Sequence, residues 1–254
     1  MNILVCIKRV PATGARIVVT ADEQAIDTRH LGFTISPHEE CAVEEAVRLV
    51  EQQGGSATVL TLGPPQAIEQ LRFALAQGIN RAVLLETDGR DWEPAATAQA
   101  LLAAIRAQQA EHGPFDVLLF GNESADAGGY QVAIRVAQAL DLPCLSGVKA
   151  LEIKAGLAIA QREASGGLEI YEVALPAVIT VKEGINLPRY PSLPGRLRAK
   201  KAAIEQSTPQ AQAGGLEKIR LKVPLEQHQG AEILGQGPAT APKIVEILQK
   251  VGVV

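Results

Sequence analysis

Residues 116–140 read DVLLFGNESADAGGYQVAIRVAQAL. Asp116–Phe120 is a short unbroken apolar run, the signature of a strand buried on both faces. Gly121–Gln131 is a loop holding three glycines, and the apolar positions beyond it recur at helical spacing as far as Leu140. The same strand–loop–helix unit repeats upstream. Ile3–Ile7 (ILVCI) is a first strand. Val43, Ala46, Val47 and Val50 then form one helical face, which Gly54-Gly55 ends. Ala57–Leu62 is a second strand, and Gly63-Pro64-Pro65 turns into a helix striped by Ile68, Leu71 and Leu75. Ala82–Leu85 is a third strand, followed by an Ala-rich helix from Pro94 to about Gln109. Buried strands alternating with amphipathic helices predict a doubly wound, mostly parallel α/β sheet. Ligands in such sheets bind outside the carboxyl ends of the strands, where the strand order reverses, so the loops after Ile7, Leu62 and Phe120 are the places to search.

The rhythm changes after Pro143. Val148–Ile153, Leu157–Arg162 and Leu168–Leu175 alternate in polarity and are separated by Gly156 and Gly166-Gly167, which predicts an antiparallel edge added to the sheet. Pro176–Val181 is one more buried strand. A proline-punctuated stretch leads into a basic helix from about Leu193 to Ile204. Gln206–Gly215 reads as an extended linker, and Lys243–Val251 as one short helix. The division expected is a nucleotide-binding α/β domain over 1–205 and a C-terminal arm over 206–254 that wraps a partner.

The chain has 254 residues and a net charge of -4, with 3% aromatics. Neither a domain-wide basic field nor a base-stacking platform is present, so nucleic acid is not an expected partner. Cys6, Cys41 and Cys144 form no CxxC pair, which speaks against a zinc site or a disulfide framework and for a reducing compartment. No apolar run approaches the roughly 20 residues of a membrane-spanning helix, so membrane insertion is not expected, and a cytoplasmic location is.

Four segments carry candidate chemistry. In the first, the loop Gly121–Gln131, with Asp126-Ala127-Gly128-Gly129-Tyr130-Gln131 leading to Val132, follows a strand and opens a helix. Adjacent glycines let backbone N–H groups face an anion, and a helix N-terminus adds partial positive charge. The alternative is a plain helix start with Ser124 or Asp126 as N-cap. The second, Cys6-Ile7-Lys8-Arg9-Val10-Pro11, either lines an adenine pocket with its backbone or carries in Lys8 and Arg9 an ordinary solvated charge pair. The third, Ser36-Pro37-His38-Glu39-Glu40, is a complete helix start: Ser36 caps, Pro37 suits the first turn, and Glu39 and Glu40 complement the dipole. His38 either shares in that structure or contacts a ligand. The fourth runs from Asn186 to Lys201, where Leu187, Arg189, Arg196, Lys200 and Lys201 form either a solvated face or a docking surface for an acidic partner.

Ala177–Glu205, AVITVKEGINLPRYPSLPGRLRAKKAAIE, resembles the electron transfer flavoprotein β subunit family, with its PRY-x-x-LP run before a Lys-Lys pair. Leu4–Val10 (LVCIKRV), the helix from Pro37 to Leu49, the Asp126–Leu140 helix start and the hairpin at Gly166–Glu169 are similar to that family in the same order. The resemblance implies an adenine-nucleotide α-hydrolase-like fold. It also implies a heterodimer with an α subunit, one FAD held mostly by α, and a structural AMP in β. Electrons would arrive from flavin dehydrogenases and leave to a quinone oxidoreductase, with no bond-breaking chemistry in this chain. By resemblance Cys6 and Ile7 fall in the adenosine pocket, and Asp126–Val132 fall on the phosphate loop. Thr13 and His38, beside Ser36, stand where many members place aromatics near the flavin, and Ile185 takes the place of the side chain that anchors a dehydrogenase. Two departures stand out: Asn-Pro-Phe is Ser36-Pro37-His38 here, and the Thr of the phosphate loop is Gly129. Two other readings follow. Val10-Pro11-Ala12-Thr13 is similar to a subset that holds a second FAD in place of AMP and bifurcates electrons from NADH. The doubly wound pattern also suits a stand-alone adenine-nucleotide-binding module resembling universal stress proteins.

Overall fold

A period of two residues assigns every central strand to two opposite layers. In β1 (Asn2–Ile7), Ile3, Val5 and Ile7 enter one hydrophobic cluster, while Leu4 and Cys6 enter another. In β6 (Val117–Gly121), Val117 and Leu119 join the first cluster, and Leu118 and Phe120 the second. Side chains alternate across a strand, so a strand apolar at every position is covered on both faces. The computed structural model describes residues 1–210, 215–224 and 232–253.

The remaining strands are β2 (Val10–Pro11), β3 (Phe33–Thr34), β4 (Ser56–Gly63), β5 (Arg81–Glu86), β7 (Cys144–Lys154), β8 (Leu157–Ala164), β9 (Gly167–Ala174), β10 (Ala177–Val181) and β11 (Glu205–Ser207). The main sheet runs β11-β5-β4-β1-β6-β10-β7-β8-β9. Pairing is parallel from β11 through β7 and antiparallel through β8 and β9. The expected parallel sheet with an antiparallel edge is therefore observed. β2 and β3 form a separate antiparallel pair, joined by a long arm bridged at Val19 and Ile26.

The helices α1 (Pro37–Gln53), α2 (Ile68–Gln77) and α5 (Leu193–Lys201) contribute to one cluster. Those contributing to the other are α3 (Pro94–His112) and α4 (Val132–Leu140). Each start has a local cause. Glu93 accepts from the N–H groups of Ala95 and Ala96 to cap α3, and Ser192 accepts from Gly195 N–H to cap α5. α5 lies so close to α2 that a Cβ at Gly195 would sit 2.3 Å from the Ala76 carbonyl oxygen. Two arginines tie the pair: Arg198 donates to the Leu75 carbonyl at 3.1 Å, and Arg72 donates to the Ala199 and Lys200 carbonyls. Both side chains satisfy C-terminal carbonyls that a helix cannot pair internally.

Three boundaries differ from expectation. α4 starts at Val132 rather than near Ser124 or Asp126, and Gln131 precedes it with no side-chain cap. α5 stops at Lys201, short of Ile204. Glu205–Ser207 pairs with β5 at the sheet edge, where an extended linker from Gln206 was expected; residues 211–214 of that stretch lie outside the described residues. In the arm, α6 (Ala241–Val251) forms where a short helix was read, and none of its side chains is buried.

Leu119 is fully buried in β6 between β1 and β10. Leu119→Ala removes its packing and leaves a cavity, so urea unfolding should show a loss of about 2–5 kcal/mol.

Candidate functional site

Strand order departs from β1 in two directions, with β4 and β5 on one side and β6 and β10 on the other. The switch point therefore lies between β1 and β6, and a ligand is expected outside their carboxyl ends. A cleft of about 370 Å³ lies there, walled by Ser36, Pro37 and His38 on one side and by Glu123 to Gly128 on the other. A second hollow of about 520 Å³ is lined by Val18 to Ala21 and Ile26 to Arg29 in the long arm between β2 and β3.

The first wall is built by one carboxylate. Glu39 is the third residue of α1; its N–H donates to Ser36 Oγ at 3.2 Å, and its Oε2 accepts from Ser36 N–H at 2.9 Å. This reciprocal pair is a capping box and fixes where the helix begins. Its other oxygen, Oε1, accepts from Lys8 N–H at 2.9 Å, so the same side chain joins α1 to the end of β1. Gly121 makes room for it, because a Cβ there would lie 2.6 Å from Glu39 Cγ. Burial pushes the Glu39 carboxyl from 4.5 up to about 8, against the pull of the Ser36 and Lys8 N–H donors.

The second wall is the loop after β6. Gly128 N–H donates to the Ser124 carbonyl at 3.1 Å and closes a turn. Gly128 at φ 55° and Tyr130 at φ 54° then take left-handed conformations. These two reversals delay α4 to Val132, which is why neither Ser124 nor Asp126 acts as its cap. Lys8 Nζ reaches Asp126 Oδ2 at 2.5 Å and ties β1 to the loop. Burial raises the Asp126 carboxyl, but Lys8 and the hydrogen bonds from Lys8, Ser124 and Ala127 outweigh it, and the net shift is downward. Asp126, Ala127 and Gly128 thus line the cleft, while Gly129, Tyr130, Gln131 and Val132 lead from it into α4.

Cys6 and Ile7 end β1 and are buried, and neither is among the residues that line the cleft. Cys6 stands in register with Leu60 and Phe120 on either side, and burial first, then Glu39, raises its thiol. Such a thiol is not a nucleophile at neutral pH. The Ile7 carbonyl accepts from Thr61 Oγ1 at 2.8 Å. His38 joins the cleft to a more distant segment: its Nδ1 accepts from Glu183 N–H at 2.7 Å, and its Nε2 lies 3.5 Å from Glu123 Oε1.

The segment from Glu183 to Tyr190 is laced onto α1. Asn186 Nδ2 donates to the Cys41 carbonyl at 3.0 Å and to Glu45 Oε2 at 2.9 Å. Arg189 forks onto Glu44, with Nε to Oε2 at 2.9 Å and Nη2 to Oε1 at 3.0 Å, and reaches Glu51 at 2.6 Å. Its backbone N–H donates to Glu44 as well, and its carbonyl accepts from Gln77 Nε2. The Glu51 and Glu44 hydrogen bonds hold the Arg189 guanidinium still more firmly protonated. Ile185 packs against the core cluster, whereas Leu187 is 90% exposed, Tyr190 94% and Leu193 71%. Arg196, Lys200 and Lys201 are exposed on α5. Sequence reading missed the roles of Glu44 and Glu51, and gave Asn186 only as the start of the fourth segment; their partners lie more than 100 residues away. Glu39 was legible only as a dipole partner. Among the described residues no cluster of three or more His, Cys, Asp or Glu side chains suits a metal ion, and no helix is long and apolar enough to cross a membrane.

The raised Glu39 carboxyl makes a signed prediction. The folded form keeps a proton that the unfolded chain gives up above 4.5, so the Glu39 contribution is complete below that pH and is lost as pH climbs through about 8. Unfolding of Glu39→Gln across this window should show the stability gap to wild type narrowing as pH rises. A gap that widens would mean the carboxylate is the favoured folded form.

Comparison with known proteins bears on these elements directly. The electron transfer flavoprotein domain model matches residues 25–212. An electron transfer flavoprotein subunit beta from Bacillus subtilis (strain 168) is 38% identical over 208 residues, covering 81% of this chain and 78% of its own length. The subunit of the same name from Syntrophomonas wolfei subsp. wolfei is 33% identical over 97% of this chain and 95% of its own length. Protein FixA from Bradyrhizobium diazoefficiens is 36% identical over 86% of this chain and 76% of its own length. With a doubly wound sheet, a cleft at its switch point and relatives matched over most of their length, the chain belongs to the electron transfer flavoprotein β-subunit family.

Proposed function

We propose that this chain is the β half of an electron transfer flavoprotein heterodimer, with AMP in its own cleft and one FAD at the boundary with an α subunit. The observation that carries the reading is the cleft at the β1/β6 switch point. Its volume of about 370 Å³ falls at the small end of ligand pockets. The residues fit a nucleotide monophosphate. α4 begins without a side-chain cap, which leaves the backbone amides at its start available to a phosphate. The carboxylates of Glu123 and Asp126 are acceptors suited to sugar hydroxyls, and Ser36 and His38 close the opposite wall. Cys6 and Ile7 are assigned to the adenosine side by resemblance alone. No general base or activated nucleophile is assigned a role; the chain binds, orients and excludes water.

FAD, when bound, supplies the redox chemistry, and the flavin is held chiefly by the partner. Thr13 and His38 contribute the wall on this side. α6 supports the partner arm: Ile244, Val245, Ile247, Leu248 and Val251 are all exposed, an apolar stripe with no cover among the described residues. The arm from 206 onward wraps α, apart from Gln206 and Ser207, which pair within β11.

Primary flavin dehydrogenases dock on the loop before α5 and on α5 itself, and a quinone oxidoreductase accepts the electrons. Leu187, Tyr190, Leu193 and Leu197 present apolar surface, flanked by Arg196, Lys200 and Lys201. Arg189 serves this surface indirectly, because Glu44 and Glu51 occupy its guanidinium. Ile185 faces inward, so its role is to seat the loop.

Two measurements test the proposal. Co-production with an α-type partner should yield a yellow heterodimer that releases one FAD and one AMP on denaturation. A colourless pair sinks the flavoprotein reading, and two flavins with bleaching by NADH would make the protein bifurcating. In reduction by a cognate dehydrogenase, Leu193→Ala should raise the apparent KM on the order of tenfold, as expected for an interface anchor worth about 1–2 kcal/mol, with FAD content unchanged. Ile185→Ala should instead lower the unfolding temperature.

A further inference from the structure

One side chain touches both the cleft and the loop from Glu183 to Tyr190. His38 lies in the first turn of α1 and forms part of the cleft wall. Its Nδ1 accepts the Glu183 N–H at 2.7 Å, so that nitrogen carries no proton and the ring hydrogen of the neutral imidazole sits on Nε2. Nε2 faces Glu123 Oε1 at 3.5 Å, across the cleft. Glu123 lies in the loop that forms the second wall, and its nearness pushes the Tyr130 hydroxyl of the same loop upward. The ring position is set from below, since a Cβ on Gly121 would come within 3.3 Å of His38 Cβ.

The far end of this chain of contacts is a turn. Ile185 N–H donates to the Lys182 carbonyl at 3.3 Å, and Gly184 has φ 91°. Glu183 and Gly184 are therefore the central residues of a type II turn, with glycine where the positive φ is required. The Glu183 carbonyl accepts from Lys149 Nζ at 2.8 Å, and the Glu183 N–H is the donor that His38 takes. Beyond the turn, Asn186 and Arg189 bind α1 directly. His38 is thus the contact by which the cleft reaches the beginning of the loop.

We infer that His38 is a positioning residue that couples occupancy of the cleft to the order of the 183–190 loop. A nucleotide that fixes Glu123 fixes the imidazole through Nε2–H, and the imidazole then holds the Glu183 N–H in one geometry. The linkage is reciprocal: an ordered loop strengthens nucleotide binding by the same factor that the nucleotide steadies the loop. The inference rests on the cleft binding AMP, and the experiment separates the two.

The heterodimer is unfolded, freed of nucleotide and refolded with or without AMP, and amide hydrogen exchange is followed by mass spectrometry. AMP should protect the peptides spanning 36–38 and 123–128 and also slow exchange over 184–187 at least fivefold, the lower end of the roughly 5–150-fold range of such couplings. Glu183→Pro suits the second position of a type II turn and deletes the N–H donor. In that variant AMP should still protect the cleft peptides, while exchange over 184–187 becomes independent of AMP. His38→Phe, which keeps a ring and removes both nitrogens, should abolish the same response. Wild-type cleft protection with no change at 184–187, or an AMP response that persists in Glu183→Pro, overturns the coupling and leaves the nucleotide reading standing. No protection of either cleft peptide in the wild type overturns both.

Discussion

A buried carboxylate, Glu39, holds the site together. Its two oxygens take backbone N–H groups from Ser36 and Lys8, which belong to the start of α1 and the end of β1. Neither donor has another partner within its own regular element, and a buried unpaired N–H is costly, on the order of 1–3 kcal/mol. Glu39 therefore ends one element and begins another in a single act. The glycine at 121 is the reciprocal requirement, because β6 passes too close for any side chain there. Once these three points are fixed, Lys8 extends toward the loop after β6, where Asp126 receives it. The cleft is the space left between parts that Glu39 has already placed.

α1 carries a second set of inward acids with a different task. Glu44 and Glu45 are nearly fully buried. Burying a carboxylate is unfavourable unless a partner comes with it. Arg189 provides that partner for Glu44 in a forked, two-bond geometry, and Asn186 donates to Glu45. Sliding the loop by one residue would separate both pairs and strand charge in the interior. The cost of burial thus works as a register lock, which selects one placement of residues 183–190 over its neighbours. The inward polar side chains at 186 and 189 leave Leu187 and Tyr190 pointing outward.

The parts of this structure that were legible in the sequence are those whose cause is local. Strand and helix identity followed from period, the α1 start from Ser36-Pro37 with Glu39 and Glu40 complementing the dipole, and the meander from its glycines. What was not legible depends on backbone conformations or on partners far along the chain. Tyr130 in the left-handed region has no sequence signature, and it is one reason α4 begins later than the loop composition suggests. β11 is Glu-Gln-Ser, with no apolar alternation, and pairs with β5 through backbone alone. Its first residue, Glu205, also accepts from Gln108 at 2.7 Å, a contact that spans 97 positions. Arg189 read as a surface cation because its acids lie on a helix about 140 positions earlier, and charge type does not reveal where a charge is spent.

This division follows from how a shuttle must be built. A protein that exchanges partners quickly needs a docking face already in its bound shape, because ordering flexible side chains and loops at each encounter slows association and weakens it. The charge lock of Glu44 with Arg189 supplies that rigidity from beneath, without using the exposed surface for it. In the docking role proposed for this face, the outward residues are free for contact alone: apolar side chains for adhesion, with Arg196, Lys200 and Lys201 for steering. The same helix that holds the loop also walls the cleft. On the proposed reading, a nucleotide in the cleft and a partner docked on the loop share α1 as a common frame, because that helix both walls the cleft and holds residues 186 and 189.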